Sequence, residues 1–131
     1  MVETYGLTHI ALKVKNLERS RLFYERLFGA SVMYQTSEFI QIQTPGSHDI
    51  IVLEKSNEVL YKENGIMHFG FRLKNLVDIE ILVQEVLDAG GQIKEKGEFI
   101  PGEPYVFIYD PDGYEIELWY ENIPSELSTF N

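Results

Sequence analysis

The chain has 131 residues, a formal net charge of −10, a pI near 4.7 and no cysteine. That length suits one domain, 1–131, and a 44% hydrophobic, 13% aromatic composition excludes a disordered chain. Without cysteine there are no disulfides, thiolate metal sites or cysteine nucleophile, and so acidic a surface repels phosphate backbones, so no nucleic-acid partner is expected.

Thr8–Lys15 alternates Ile10, Leu12 and Val14 with His9, Ala11 and Lys13, the period of a half-buried strand. A helix follows, capped by Asn16, with Leu22, Phe23, Leu27 and Phe28 at helical spacing before Gly29. Short strands are expected near Ser31–Tyr34, Phe39–Gln43 and Asp49–Glu54. His48, beside the Pro45-Gly46-Ser47 turn, reads as exposed, and the polar stretch Lys55–Gly65 as a linker. The pattern then starts again. Met67, Phe69, Phe71 and Leu73 alternate with His68, Gly70 and Arg72. A helix capped by Asn75 or Asp78 carries Ile79, Leu82, Val83 and Val86 toward Gly90-Gly91. Strands near Gln92–Glu95, Tyr105–Tyr109 and Tyr114–Tyr120 complete the copy, and Pro124–Asn131 reads as a loosely held tail. No apolar run approaches the roughly 18 residues of a membrane span. No signal-peptide pattern opens the chain, so no membrane association and a cytoplasmic location are expected.

The two halves are copies. At an offset of 59, His9 falls on His68, Lys15-Asn16-Leu17 on Lys74-Asn75-Leu76 and Ala30 on Ala89. The apolar positions Leu12, Val14, Leu22, Phe23, Leu27 and Phe28 meet Phe71, Leu73, Ile81, Leu82, Val86 and Leu87. The expected fold is α+β: two tandem βαβββ modules, about 5–56 and 65–121, forming a curved mixed-sheet cup with the helices outside. Charge is unequal between the halves, −1 over residues 1–65 and −9 over 66–131.

Strand parity selects a site. If apolar residues cover the helices, the alternate ones face the cup: His9, Ala11 and Lys13; His68, Gly70 and Arg72; Glu115, Glu117 and Trp119. Two repeat-related histidines and a glutamate then share one concavity. Imidazoles with a carboxylate and open positions suit Fe(II), Mn(II), Ni(II) or Zn(II). Gln41, Gln43, Ile51, Leu53, Tyr105, Phe107, Tyr109 and Trp119 are expected to wall the cup around a small-molecule substrate.

The segments Thr8-His9-Ile10-Ala11-Leu12-Lys13-Val14, Met67-His68-Phe69-Gly70-Phe71 and Asp110-Pro111-Asp112-Gly113-Tyr114-Glu115-Ile116-Glu117-Leu118 resemble the vicinal oxygen chelate superfamily. That group includes glyoxalase I, fosfomycin-resistance thiol transferases, extradiol dioxygenases and bleomycin-binding proteins. The resemblance runs from Leu7 to Glu121 and implies one divalent ion on His9, His68 and Glu117. It also implies a homodimer and a reaction in which the metal holds two neighbouring substrate oxygens. Aligning the later strands at an offset of 66 puts Ile51 on Glu117, where glyoxalase I-like members carry a fourth ligand, and isoleucine cannot ligate. Glu54 then has the opposite parity. Phe107, ten residues before Glu117, stands where dioxygenases and fosfomycin enzymes commonly place tyrosine. Lys13 matches a basic position that receives an anionic substrate group in glyoxalase I-like members. The favoured function is a metal-dependent, glyoxalase-like lyase or isomerase with Glu117 as the catalytic carboxylate. Lys13, Gln41, Ile51, Arg72, Tyr105, Phe107 and Trp119 are its expected substrate contacts. A thiol transferase, a dioxygenase and a non-catalytic small-molecule binder are the alternatives.

Overall fold

The computed structural model describes residues 1–58 and 66–121. The expected tail and the part of the expected linker beyond residue 58 lie outside the described residues. The chain forms two compact units. The first runs through the first βαβββ copy and takes in Pro111–Gly113; the second holds the other copy.

In the first unit β1 (Ile10–Val14), α1 (Leu17–Phe28), β2 (Ser31–Gln35), β3 (Phe39–Gln43) and β4 (Ile51–Lys55) follow one another. The sheet order is β1-β4-β3-β2, with β1 and β4 parallel and the other pairs antiparallel. The Asn16 side chain accepts from Arg19 N–H at 3.0 Å, and α1 stops where Gly29 turns left-handed at φ 69°. Its buried face, Ser20, Phe23 and Tyr24, belongs to a core with Leu12, Val14, Ile40, Ile42, Ile51 and Leu53. Each such aliphatic or aromatic side chain contributes roughly 1.5–3 kcal/mol by leaving water.

The second unit repeats the plan with β5 (Phe69–Arg72), α2 (Ile79–Asp88), β6 (Gln92–Glu98), β7 (Pro104–Tyr109) and β8 (Glu115–Trp119) in the order β5-β8-β7-β6. Leu82 and Val86 of α2 are buried in a core with Val106, Ile108, Ile116 and Leu118. The α+β class and the doubled βαβββ order are as the sequence predicts.

Two features of the repeat differ. The offset of 59 runs from β1 and β5 through the helices, where Phe23 and Leu82, and Ala30 and Ala89, are buried alike, but α2 begins later in that register, capped by Asp78 rather than Asn75. Ile81 and Leu87, matched above to Leu22 and Phe28, are exposed, and those two partners are themselves only partly buried. The second difference lies between the last two strands. Glu117 pairs with Gly70 on β5 and with Phe107 on β7. In the first unit the residue in that place, paired with Ala11 and Gln41, is Val52. The path from Gln41 to its ladder partner Val52 is one residue longer than that from Phe107 to Glu117, so the true offset on the last strand is 65 and Ile51 does not correspond to Glu117. Ile51 pairs with Ile10 and Ile42, is 3% exposed and belongs to the core, so the expectation that it meets substrate is withdrawn. Leu53, also given to the cup wall, is likewise core.

Candidate functional site

In the second unit, alternation along β5, β7 and β8 sends Phe69, Val106, Ile108, Ile116 and Leu118 toward the core and leaves Gly70, Arg72, Tyr105, Phe107, Glu115, Glu117 and Trp119 on the other face. His68, just before β5, joins them: its ring meets the Phe107 ring edge-on at 5.2 Å, and its Nδ1 lies 3.7 Å from Glu115 Oε2. That separation is an ion-pair distance, too long for a hydrogen bond. Glu117 lies against β5 where a side chain would obstruct it. A Cβ on Gly70 would stand 3.1 Å from the Glu117 carbonyl oxygen and 3.4 Å from its Oε2. Glycine there leaves room for the carboxylate.

Glu115 is a held group. Lys94 Nζ donates to its Oε1 at 2.7 Å and sits 5.9 Å from the centre of the Phe107 ring. The bond to Glu115 raises Lys94 above the usual lysine range, so it stays cationic at neutral pH. Lys94 is a site residue that parity could not find, because the β6–β7 ladder shifts register between Ile93 and Glu95.

In the first unit, Ala11, Lys13, Gln41, Val52 and Glu54 share the face opposite Leu12, Ile42 and Leu53, with Val52 itself buried there. By the same alternation His9, the residue before β1, belongs to that side, and its Nδ1 is engaged by the Thr8 hydroxyl at 2.6 Å. Lys13 lies beside Glu54 in the ladder and forms an exposed ion pair with Glu58. Glu54 reaches this face without any bulge, contrary to its expected parity, because Val52 rather than Ile51 is the counterpart of Glu117. His48 is exposed, as its turn predicts.

The Asp110–Tyr114 turn that delivers β8 is tightly bonded. Asp110 is 4% exposed and its carboxylate accepts from Tyr114 N–H at 2.9 Å. The Asp112 carboxylate accepts from Lys15 N–H at 3.1 Å, Arg19 Nη2 at 2.8 Å and the Ser20 hydroxyl at 2.7 Å. Its side chain is only 1% exposed. These bonds explain why Pro111–Gly113 belongs to the first unit rather than to the sheet it connects.

Among the described residues no three His, Cys, Asp or Glu side chains form a ready metal cluster. The donor chemistry nevertheless fits a divalent ion. His9 and His68 each have an oxygen at or near Nδ1, with Nε2 as the nitrogen that could bind, and Glu117 has a cleared space. No helix of the described residues is long and apolar enough to cross a membrane.

Comparison with known proteins gives one family. Residues 6–118 match the model of the Glyoxalase/Bleomycin resistance protein/Dioxygenase superfamily. The chain is 30% identical to a probable trivalent organoarsenical cleaving enzyme of Bacillus subtilis, over 91% of this chain and 82% of that one. It is 28% identical to a catechol-2,3-dioxygenase of the same organism over 91% of its own length, but spans only 44% of that protein. Its backbone superposes on a fosfomycin resistance protein from Listeria monocytogenes with a TM-score of 0.76 at 20% identity, covering 94% of this chain and 97% of the other. The strand order, the repeated modules and these likenesses agree: the chain belongs to the glyoxalase/bleomycin resistance/dioxygenase superfamily, the vicinal oxygen chelate proteins.

Proposed function

We propose that this chain is a metal-dependent enzyme that holds two neighbouring oxygens of a small molecule on one divalent ion, with His9, His68 and Glu117 as its protein ligands. The observation that carries the reading is the Glu117 carboxylate beside the bare Gly70, two residues on from His68. A bound ion would supply Lewis-acid stabilisation of negative charge developing on the substrate oxygens. The favoured reaction is proton transfer of lyase or isomerase type. Glu115 is engaged by Lys94, so Glu117 is the proposed proton acceptor. Lys13, Gln41, Arg72, Tyr105, Phe107 and Trp119 are the proposed substrate contacts, and a homodimer is the proposed assembly.

A dioxygenase reading has its own support. Two histidines and one carboxylate, with no fourth ligand at Val52, make the donor set of non-haem Fe(II) oxygenases. Oxygen uptake with Fe(II) and a catechol separates it from proton transfer, which consumes none. The organoarsenical relative supports the enzyme reading, but trivalent arsenic is a soft, thiol-seeking centre and this chain offers it no cysteine.

The test is metal analysis of protein incubated with Fe(II), Mn(II), Ni(II) or Zn(II) and dialysed. One equivalent of at least one ion is expected. His9→Ala, His68→Ala and Glu117→Ala should each weaken binding by more than the roughly 10–100-fold that follows loss of a ligand's supporting neighbour. Less than about a tenth of an equivalent in the unmodified protein overturns the proposal and leaves a metal-free binding protein. That threshold sits well below one ion per site.

A further inference from the structure

Both modules carry a bulge at the same place on the strand after the helix, but they put different residues on it. In the first unit the β2–β3 ladder slips between Val32 and Tyr34, and Met33 is the extra residue. In the second the β6–β7 ladder slips between Ile93 and Glu95, and the extra residue is Lys94. A bulge re-aims the side chain of the residue it inserts. Lys94 thereby reaches the face of β7 and β8 that holds Phe107 and Glu115: its Nζ donates to Glu115 Oε1 at 2.7 Å and stands 5.9 Å from the centre of the Phe107 ring.

The two oxygens of Glu115 are divided between two partners. Oε1 is taken by Lys94, and Oε2 lies 3.7 Å from His68 Nδ1. The Glu115 side chain is 16% exposed, the most enclosed of the three, so it is the fixed point toward which His68 turns. A movement of about 1 Å brings Nδ1 to the distance of a charge-assisted hydrogen bond, with the Phe107 ring edge-on to the imidazole at 5.2 Å. His9, the repeat partner of His68, is built differently. Its Nδ1 meets the exposed Thr8 hydroxyl, Met33 stands on its bulge, and Ile50 takes the place of Glu115 at the offset of 65. The difference matters because a hydroxyl can donate or accept and so selects no imidazole tautomer, whereas an ionised carboxylate only accepts and demands Nδ1–H.

We propose that Glu115 and Lys94 are positioning residues for His68. Glu115 Oε2 accepts a hydrogen bond from His68 Nδ1–H, which selects the tautomer whose Nε2 lone pair can bind a divalent ion, and Lys94 holds the carboxylate in place through its other oxygen. Both act through His68 and touch neither ion nor substrate. The two histidines are therefore unequal: His68 is set in its binding form before any ion arrives, and His9 is not. This rests on the reading of His68 as a ligand.

The first measurement needs no metal. Long-range proton–nitrogen NMR of the full-length, metal-free protein with isotope-labelled histidine is read at His68 at about pH 8.5, where an ordinary imidazole is neutral. The unmodified protein is expected to show the Nδ1–H form. Glu115→Gln should switch it to Nε2–H, because Lys94 takes the amide oxygen and turns the amide NH2, a donor, toward Nδ1. Lys94→Arg should keep the Nδ1–H form and Lys94→Met should populate both. The second measurement is Zn(II) affinity by competition with a chromogenic chelator, which Glu115→Gln should weaken by about 10–100-fold. An Nε2–H form in the unmodified protein, an unchanged tautomer in Glu115→Gln or Lys94→Met, or a switched tautomer with unchanged Zn(II) affinity each overturn the proposal. If the unmodified protein takes up no metal, the ligand assignment fails by itself, and the tautomers still decide whether Glu115 and Lys94 set His68.

Discussion

Gly70 concentrates the chemistry of the site into one missing atom. Elsewhere in a strand, replacing glycine by alanine reduces the freedom of the unfolded chain and stabilises by about 0.4–1 kcal/mol. Here the added Cβ would crowd the Glu117 carbonyl, Cβ and Oε2 at 3.1, 3.3 and 3.4 Å. Gly70→Ala should therefore keep the fold but weaken metal binding roughly tenfold or more, read by competition with a chromogenic chelator. Unchanged affinity would mean that the carboxylate does not need this space. Ile51 makes the opposite case. It is a core residue, so Ile51→Ala should cost about 2–4 kcal/mol in urea unfolding and leave metal affinity within a factor of two. A change in affinity without loss of stability would put Ile51 back among the contacts.

At the scale of elements, the Asp110–Tyr114 turn is worth more than its length. Asp112 joins the backbone at Lys15, the Arg19 guanidinium and the fully buried hydroxyl of Ser20, all at the start of α1. Asp112→Ala removes an ionised acceptor and leaves the Ser20 hydroxyl without its carboxylate. The expected loss is about 2–3 kcal/mol, measured by urea denaturation, and a loss below about 0.5 kcal/mol would show the bonds to be incidental. Most of the elements were legible in the sequence, because period-two alternation and the Asn16 and Gly29 signals act locally. The equivalence of the two last strands was not. Pro45 and Pro111 suggest an alignment, but the extra residue lies beyond them, and a one-residue slip turns every side chain to the other face. Lys94, the partner of Glu115, was hidden for a related reason, because it lies within a register shift. His68, Glu117, Phe107 and Trp119 could be read by alternation because β5, β7 and β8 pair without a shift.

For the whole molecule, the net charge of −10 divides into kinds. Of the thirteen acids in residues 66–131, Asp110 and Asp112 bind the turn, Glu115 is neutralised by Lys94 and Glu117 is half-buried beside Gly70. The excess in the second half is thus partly structural and partly the donor side of the site, rather than a uniform acidic surface. The absence of cysteine excludes thiolate donors, and the proposed ligands His9, His68 and Glu117 would supply nitrogen and oxygen instead. The most direct test of that assignment is a crystal structure grown with Mn(II), with anomalous scattering to locate the ion. The account predicts one strong peak within about 2.0–2.3 Å of an imidazole nitrogen of His9, an imidazole nitrogen of His68 and a carboxylate oxygen of Glu117. A peak bound elsewhere, or density at full metal loading that lacks any one of the three, would contradict it.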